Sequence, residues 1–266
     1  MKDIALYHLI VNGDKLKEVL LSLPGDRIWT PPGSRCIFRK DALGRSILYW
    51  KSEAGEFFIK LFHRLRPGDS RAPYMEWLRL HELRSLGFNT PEPAAFITEY
   101  DGLLNRPVRA AVITGRVPGY SLEELSLSLK GHMPPQVVKV LSDTVAKFHG
   151  LGFRHRDLYF SHLFYEPSKD RIHLIDFQRV YRAKLPGADL YGLLRDLSQL
   201  MYSASSFLSP RCFCEFRRAF FRGYFKHPII PLRGIPPGLV LMLVEIKRRR
   251  IARHDNRRSR GRSAVK

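Results

Sequence analysis

The hydrophobic period of the chain changes once, near residue 116, and that change limits the fold more than any other feature. Before it, β-branched and aromatic residues come in short runs. "RCIFRKD", "RSILYW" and "EFFIKLF" lie between residues 34 and 63, and "AAFITEY" and "RAAVITGRV" follow later. Such runs, separated by "ALG" and "KSEAG" with glycines that suit tight turns, predict strands. One helix interrupts them. After a Pro/Gly break at 67–73, "YMEWLRLHELRSLGF" carries Met75, Leu78, Leu83 and Leu86 at helical spacing and stops at Gly87. The order β-β-β-α-β-β predicts an antiparallel sheet with one helix.

From Ser121 onward the period is helical. Ser121 and Glu124, three residues apart in "SLEEL", predict a capping box. "PQVVKVLSDTVAKFHGLGF" places Val138, Leu141, Val145 and Phe148 on one face, and "DLYGLLRDLSQLMYSA" and "PRCFCEFRRAFFRGYF" predict further helices. The fold class is therefore α+β, a strand-rich first half joined to a helix-rich second half near 115–120. No internal repeat interrupts it. The expected divisions are an N-terminal extension at 1–33, a sheet lobe at 34–115, a mainly helical lobe at 116–246 and a basic tail at 247–266.

Composition narrows the class. Apolar content of 44% is that of a folded chain. No apolar run approaches the roughly 18 to 20 residues needed to span a bilayer; "GLVLMLVEI" is about half that. The first residues meet charge too early for a secretory signal, so cytosolic residence is expected. Cys36, Cys212 and Cys214 lack the spacing of a disulfide framework or a zinc site and are expected as reduced, buried thiols. Net charge is +20, and the last twenty residues hold ten Lys/Arg against one Asp. That balance calls for an anionic partner: nucleic acid, an acidic membrane surface or a phosphorylated substrate.

Both halves also carry chemistry. Phosphoryl transfer needs a Lys for the nucleotide phosphates, a Glu to hold that Lys, an Asp for the acceptor hydroxyl and side chains for Mg²⁺. Lys60 sits among apolar residues in "FFIKLF" and calls for a partner; Glu76, sixteen residues on, is the first choice and Glu82 the second. "FHGLGFRHRDLYFSH" reads as a helix end, a Gly turn and then His155-Arg156-Asp157 with a loop. "RIHLIDFQRV" reads as an apolar strand delivering Asp176 at its end, 19 residues after Asp157. A short β-hairpin fits between the two carboxylates.

This order and spacing resembles the protein kinase-like superfamily. The resemblance implies that Lys60 holds nucleotide phosphates, Asp157 is the catalytic aspartate and Asp176 is the magnesium aspartate of "DFQ". It also implies that His155 and Arg156 support the loop, and that Asp196 in "LLRDLSQL" anchors it from beneath. Ile113 and Gly115, at the lobe junction, would give backbone contacts to adenine. The pattern departs from protein kinases in three places. Only Gly44 lies between the first two strands, so nucleotide grip falls to Lys60 and side chains such as Arg45. Asp176 and Asp196 are only 20 residues apart, too short for a peptide-docking platform. His162 stands where a kinase catalytic loop has Asn.

H-R-D-x-x-x-x-H, "LIDFQR" and "RDLSQLMYSA" together resemble the lipopolysaccharide kinase (Kdo/WaaP) family, from about Gly33 to the basic C-terminus. The resemblance implies a two-lobed kinase fold, ATP and Mg²⁺, and transfer to an inner-core sugar of lipopolysaccharide, most often a heptose. It further implies work at the cytoplasmic face of a Gram-negative inner membrane, the basic tail meeting anionic lipid, and no nucleic acid. His162 would either ligate the metal or hydrogen-bond Asp157 and phosphate. The alternatives are a Kdo kinase, a small-molecule or protein (tyrosine) kinase of the same fold, or an inert basic module that binds membrane or nucleic acid.

Overall fold

The computed structural model describes residues 6–40, 42, 44–65, 71–101, 106–183, 189–229 and 232–263. Most of the Pro/Gly break at 67–73, Leu43 of the "ALG" turn and the last three residues of the tail lie outside them. The chain forms two compact units that divide after Val117.

The first unit is built on a six-stranded antiparallel sheet. Its strands are β1 (Leu6–Val11), β2 (Arg35–Lys40), β3 (Arg45–Ser52), β4 (Gly55–Phe62), β5 (Pro93–Asp101) and β6 (Arg106–Gly115), ordered β1-β5-β6-β4-β3-β2. The five expected strands are all present. Residues 6–33, however, are not an extension beside the sheet. β1 pairs with β5, with Leu9 opposite Ile97, and helix α1 (Asp14–Ser22) buries Leu16 and Leu20. Side chains of β5 alternate between two packed faces, as a strand requires. Ala95 and Ile97 join the cluster of Leu16, Leu20, Trp29, Ile59 and Ile113, while Phe96 stacks on Trp77 of helix α2 (Ala72–Ser85). Each buried leucine, isoleucine or phenylalanine among them contributes about 1.5–3 kcal/mol.

Helix α2 buries Leu83 as expected, but the rest of its buried stripe differs. Pro73, Glu76, Trp77, Leu80 and Leu83 face inward, while Leu78 is exposed and Met75 and Leu86 only half-buried. A carboxylate on the buried face masks the apolar period.

The second unit is mainly helical. Strand β7 (Tyr120–Ser121) leads into α3 (Leu122–Ser128), whose capping box forms with Ser121 Oγ accepting from the Glu124 amide at 3.1 Å. Gly119 (φ +88°) precedes it because a Cβ there would collide with the Tyr165 carbonyl oxygen. Helix α4 (Pro135–Gly150) buries Val138, Leu141, Val145 and Phe148 as its period predicts. Strands β8 (Phe153–Arg154), β9 (Leu163–Glu166), β10 (Arg171–Leu174) and β11 (Tyr181–Arg182) form two small antiparallel pieces, β10-β9-β7 and β11-β8. Helix α5 (Leu190–Phe207) is buried along most of its length, with α6 (Pro210–Tyr224) and α7 (Pro237–Ser263) packed on it. The basic tail is no separate segment, since the expected boundary at 246/247 falls inside α7. Its first turns bury Val240 and Val244 and expose Leu239, Met242 and Ile246.

The cysteines are free but not buried: Cys36 and Cys214 are exposed and Cys212 is half-buried. Cys36 lies on β2, all six of whose residues are exposed, and Cys214 is on the solvent side of α6.

Candidate active site

In the first unit, β4 is an inner strand between β3 and β6. Its pleat sends Ile59 and Leu61 into the core and Lys60 to the opposite face. There Lys60 Nζ donates to Glu76 Oε1 at 2.9 Å, the Glu side chain nearly buried at 7% exposure. Glu82 instead pairs with Arg79. A buried carboxylate on α2 is tolerable because this ammonium meets it. Arg45, at the start of β3, lies over the Phe62 ring at 5.2 Å. Ile113 is fully buried between Ile59 and Ala95 in the sheet, and Gly115 gives its amide to the Glu92 carbonyl at 2.8 Å.

In the second unit the chain from His155 to Arg179 is held as one polar assembly. Asp196, fully buried on α5, accepts the amides of His155 (2.6 Å, Oδ2) and Arg156 (2.7 Å, Oδ1). Three residues further along α5, Gln199 donates to the Arg156 carbonyl at 2.7 Å. One turn beyond, Ser203 Oγ accepts the Phe160 amide at 2.9 Å. Positions 196, 199 and 203 share one face of a helix, so α5 fixes the loop backbone on both sides of Asp157. From the α4 side, His149 bridges Asp196 (3.3 Å) and the Tyr224 hydroxyl (2.7 Å).

That anchoring supports unusual backbone. Arg156 (φ +70°) and Asp176 (φ +63°) both adopt the left-handed region without being glycine. Such positions cost about 1–3 kcal/mol each and persist only where surroundings over-determine them.

The side chains converge accordingly. Asp157 and Asp176 are both partly exposed, with His162 beside them. The expected hairpin between the carboxylates is β9-β10, clamped by Glu166 and His173 at 2.9 Å. His173 and Lys169 hold the Glu166 carboxyl down at about 2. His162 Nδ1 lies 2.7 Å from the Asp157 carbonyl, which can only accept, so this nitrogen carries the proton. In the neutral ring the Nε2 lone pair then faces Asp176 Oδ2 at 3.8 Å. Two acceptors aimed at one gap suit a cation between them. Among the described residues no group of three His, Cys, Asp or Glu side chains could hold a metal. A divalent ion here would take the remaining oxygens from phosphate and water, the usual habit of Mg²⁺.

Burial pushes the Asp157 carboxyl up; the Arg179 guanidinium opposes that and the Asp176 carboxylate adds to it. His155 is buried, its pKa pushed down to about 4 by desolvation, and its Nε2 donates to the Ile175 carbonyl at 3.0 Å. It is thus a neutral wedge under the loop.

Three residues here went unassigned in the sequence. Arg179, at the end of "IDFQR", contacts both oxygens of Asp157 at 2.9 and 3.2 Å. Gln199 and Ser203 complete the α5 anchor. Their signal was a polar side chain at i, i+3 and i+7, positions 196, 199 and 203 of α5.

Residues 37–216 match the family "Lipopolysaccharide kinase (Kdo/WaaP) family". No curated protein matches the sequence. A solved structure of WaaP in complex with acyl carrier protein is similar over 91% of this chain and 98% of that one, at 21% identity and TM-score 0.66. At that identity the likeness shows the fold, a two-lobed kinase-like α+β architecture. A crystal structure of monomeric WbdD covers 76% of this chain and 44% of its own, at 14% identity and TM-score 0.48, too low to carry weight. With more than half of its residues matched, the chain belongs to the lipopolysaccharide kinase (Kdo/WaaP) family and is a phosphotransferase acting on a sugar hydroxyl.

Proposed function

We propose that this kinase moves the γ-phosphoryl group of ATP onto a hydroxyl of an inner-core lipopolysaccharide sugar, a heptose in the first instance. The observation that carries this reading is Asp157, a partly exposed carboxylate on a loop fixed by Asp196, with Asp176 and His162 at its side.

Each residue then has a role. Asp157 accepts the hydrogen bond of the acceptor hydroxyl, orients its oxygen toward the γ-phosphorus and takes its proton. The acceptor O–P bond forms as the bond from the γ-phosphorus to the bridging oxygen breaks, releasing ADP. Asp176 and the His162 Nε2 lone pair would hold Mg²⁺, which when bound neutralises charge on the phosphate oxygens. Lys60, kept in place by Glu76, would neutralise nucleotide phosphates. Arg179 keeps the Asp157 carboxylate turned to one side through its two contacts.

Loss of this chain from its bacterium should remove one HPO₃, about 80 mass units, from a core sugar. Intact-mass comparison of lipopolysaccharide from deletion and complemented strains checks this; identical masses would remove the function.

We also propose peripheral attachment to anionic membrane through α7. Among the described residues no helix is long and apolar enough to cross a membrane. The support is the exposed row Leu239, Met242 and Ile246, which is followed by the basic stretch. Deleting residues 256–266 removes five cations yet spares the Asp255 contact with Tyr202. At about 1 kcal/mol per Lys or Arg near a surface, affinity for phosphatidylglycerol vesicles should fall at least a hundredfold. Sedimentation with such vesicles measures it, and unchanged binding would refute attachment by the tail.

A further inference from the structure

A phosphoryl group in transit spreads negative charge over its three equatorial oxygens, and a site that moves it must meet those oxygens with positive charge. In the second unit the two carboxylates and the neutral His162 ring supply none. The residues between Asp157 and His162, "LYFS", supply none either.

Most nearby cations are committed elsewhere. Arg154 is fully buried, its Nη1 donating to the carbonyls of His149 at 3.2 Å and Phe153 at 2.7 Å. Arg156 turns to the Tyr181 ring, 6.0 Å from its centre. Arg182 Nε donates to the Leu151 carbonyl at 3.0 Å, and Lys169 pairs with Glu166 at 3.0 Å. Among the described residues, Arg179 is the cation that meets the Asp157 carboxylate.

Arg179 has a fixed seat and a one-sided grip. It ends a short 3-10 turn (Phe177–Arg179) in which Phe177 is buried and the Val180 amide donates to the Phe177 carbonyl at 3.1 Å. Two residues on, Tyr181 pairs with Arg154 in β11-β8. Backbone on both sides is held, so the guanidinium is a preorganised donor. Its contacts to Asp157, at 2.9 and 3.2 Å, both come from Nη1. A forked pairing would place two nitrogens on two oxygens; here one nitrogen spans both. Among the described residues Nε and Nη2 donate no hydrogen bond. That edge matches two oxygens of a phosphate, and the side chain is 45% exposed. An exposed ion pair adds little to stability, which leaves the arrangement to chemistry.

The reach is right. An acceptor oxygen bound to Asp157 lies about 2.6–3.2 Å from the carboxylate, and the phosphorus it attacks about 3–3.5 Å further. A guanidinium on the same carboxylate stands beside that phosphorus.

We propose that Arg179 is a catalytic arginine, holding Asp157 through Nη1 and clamping the equatorial oxygens of the transferring phosphoryl group through Nε and Nη2. This rests on the reading of Asp157 as the base of phosphoryl transfer. The clamp acts in the same chain, so no partner need supply it.

The test uses ADP with aluminium fluoride, which mimics the phosphoryl group in transit. Titration calorimetry of the full chain compares ADP alone with ADP plus aluminium fluoride, both in Mg²⁺ and with deacylated core oligosaccharide present. Arg179→Gln should bind ADP within about twofold of wild type and the mimic at least about a hundredfold more weakly, as an arginine that acts on the transition state requires. Arg179→Lys keeps the charge without the fork and should lose about tenfold for the mimic alone. Should Arg179→Gln unfold, the Lys variant decides: that loss supports the clamp, and wild-type affinity overturns it. Equal losses for ADP and mimic also overturn it, since Arg179 would then hold the nucleotide and not the group in transit. A wild type that prefers the mimic, with an Arg179→Gln variant equal to it, removes the clamp and leaves the kinase reading standing. A wild type that binds the mimic no more tightly than ADP removes the reading of Asp157, and the clamp with it.

Discussion

Replacing Asp157 by Asn is expected to lower turnover by two or more orders of magnitude while the protein stays folded. Removing a general base typically costs 10²–10⁴ in rate. The Asn amide keeps the shape but cannot take the acceptor proton. The fold should survive because nothing else hangs on this carboxylate. Its partner is Arg179, itself 45% exposed, and an ion pair of that kind contributes about 0–1 kcal/mol. The loop backbone is held by Asp196, Gln199 and Ser203. The melting temperature should therefore move by no more than about 4 °C. Single-turnover assays with radiolabelled ATP, paired with circular-dichroism melts, make the check. Turnover within tenfold of wild type would take the base role away from Asp157.

Asp196→Ala is expected to do the opposite, costing stability first and activity through it. The carboxylate is fully buried and accepts two short backbone amides, and the substitution leaves both without a partner. Hydrogen bonds to charged groups contribute about 1.5–3 kcal/mol each, so the loss is roughly 3–5 kcal/mol. For a unit of this size that lowers the melting temperature by about 10 °C. Asp196→Asn keeps one acceptor oxygen and should fall between. Thermal unfolding followed at 222 nm decides; a change under about 2 °C would show that the loop is anchored by something else. The two variants separate the side chain that does chemistry from the one that holds its place.

Much of this was legible in the sequence because it is local or strictly ordered. The strand runs, the capping box at Ser121 and the apolar face of α4 are short-range patterns. The pairing of Lys60 with Glu76 and the nearness of His162 to Asp157 and Asp176 were legible because the order and spacing of these residues along the chain place them together. Glu76 could be chosen as the partner of Lys60, but its burial also hid the true stripe of α2. Arg179 was not legible, since one arginine after a strand end has no pattern that says where it reaches. β1 escaped for a different reason. "LYHLIV" is a fair strand, but its partner lies far along the chain, and pairing at that distance leaves no local mark. The thiols were misplaced because composition speaks for the average cysteine and not for one on an edge strand.

The position of β1 has a consequence for the order of assembly. Every other neighbouring pair in the six-stranded sheet except β4 with β6 follows in sequence, so hairpins β2-β3-β4 and β5-β6 can form as soon as they exist. β1 must wait for β5, and closing that long loop carries an entropy penalty which grows with the logarithm of its length. Until it arrives, the outer edge of β5 offers unpaired amides and carbonyls to any other strand nearby. The strand that leaves the ribosome first among these thus waits longest for its partner, and once docked it takes over from β5 as the edge of the sheet.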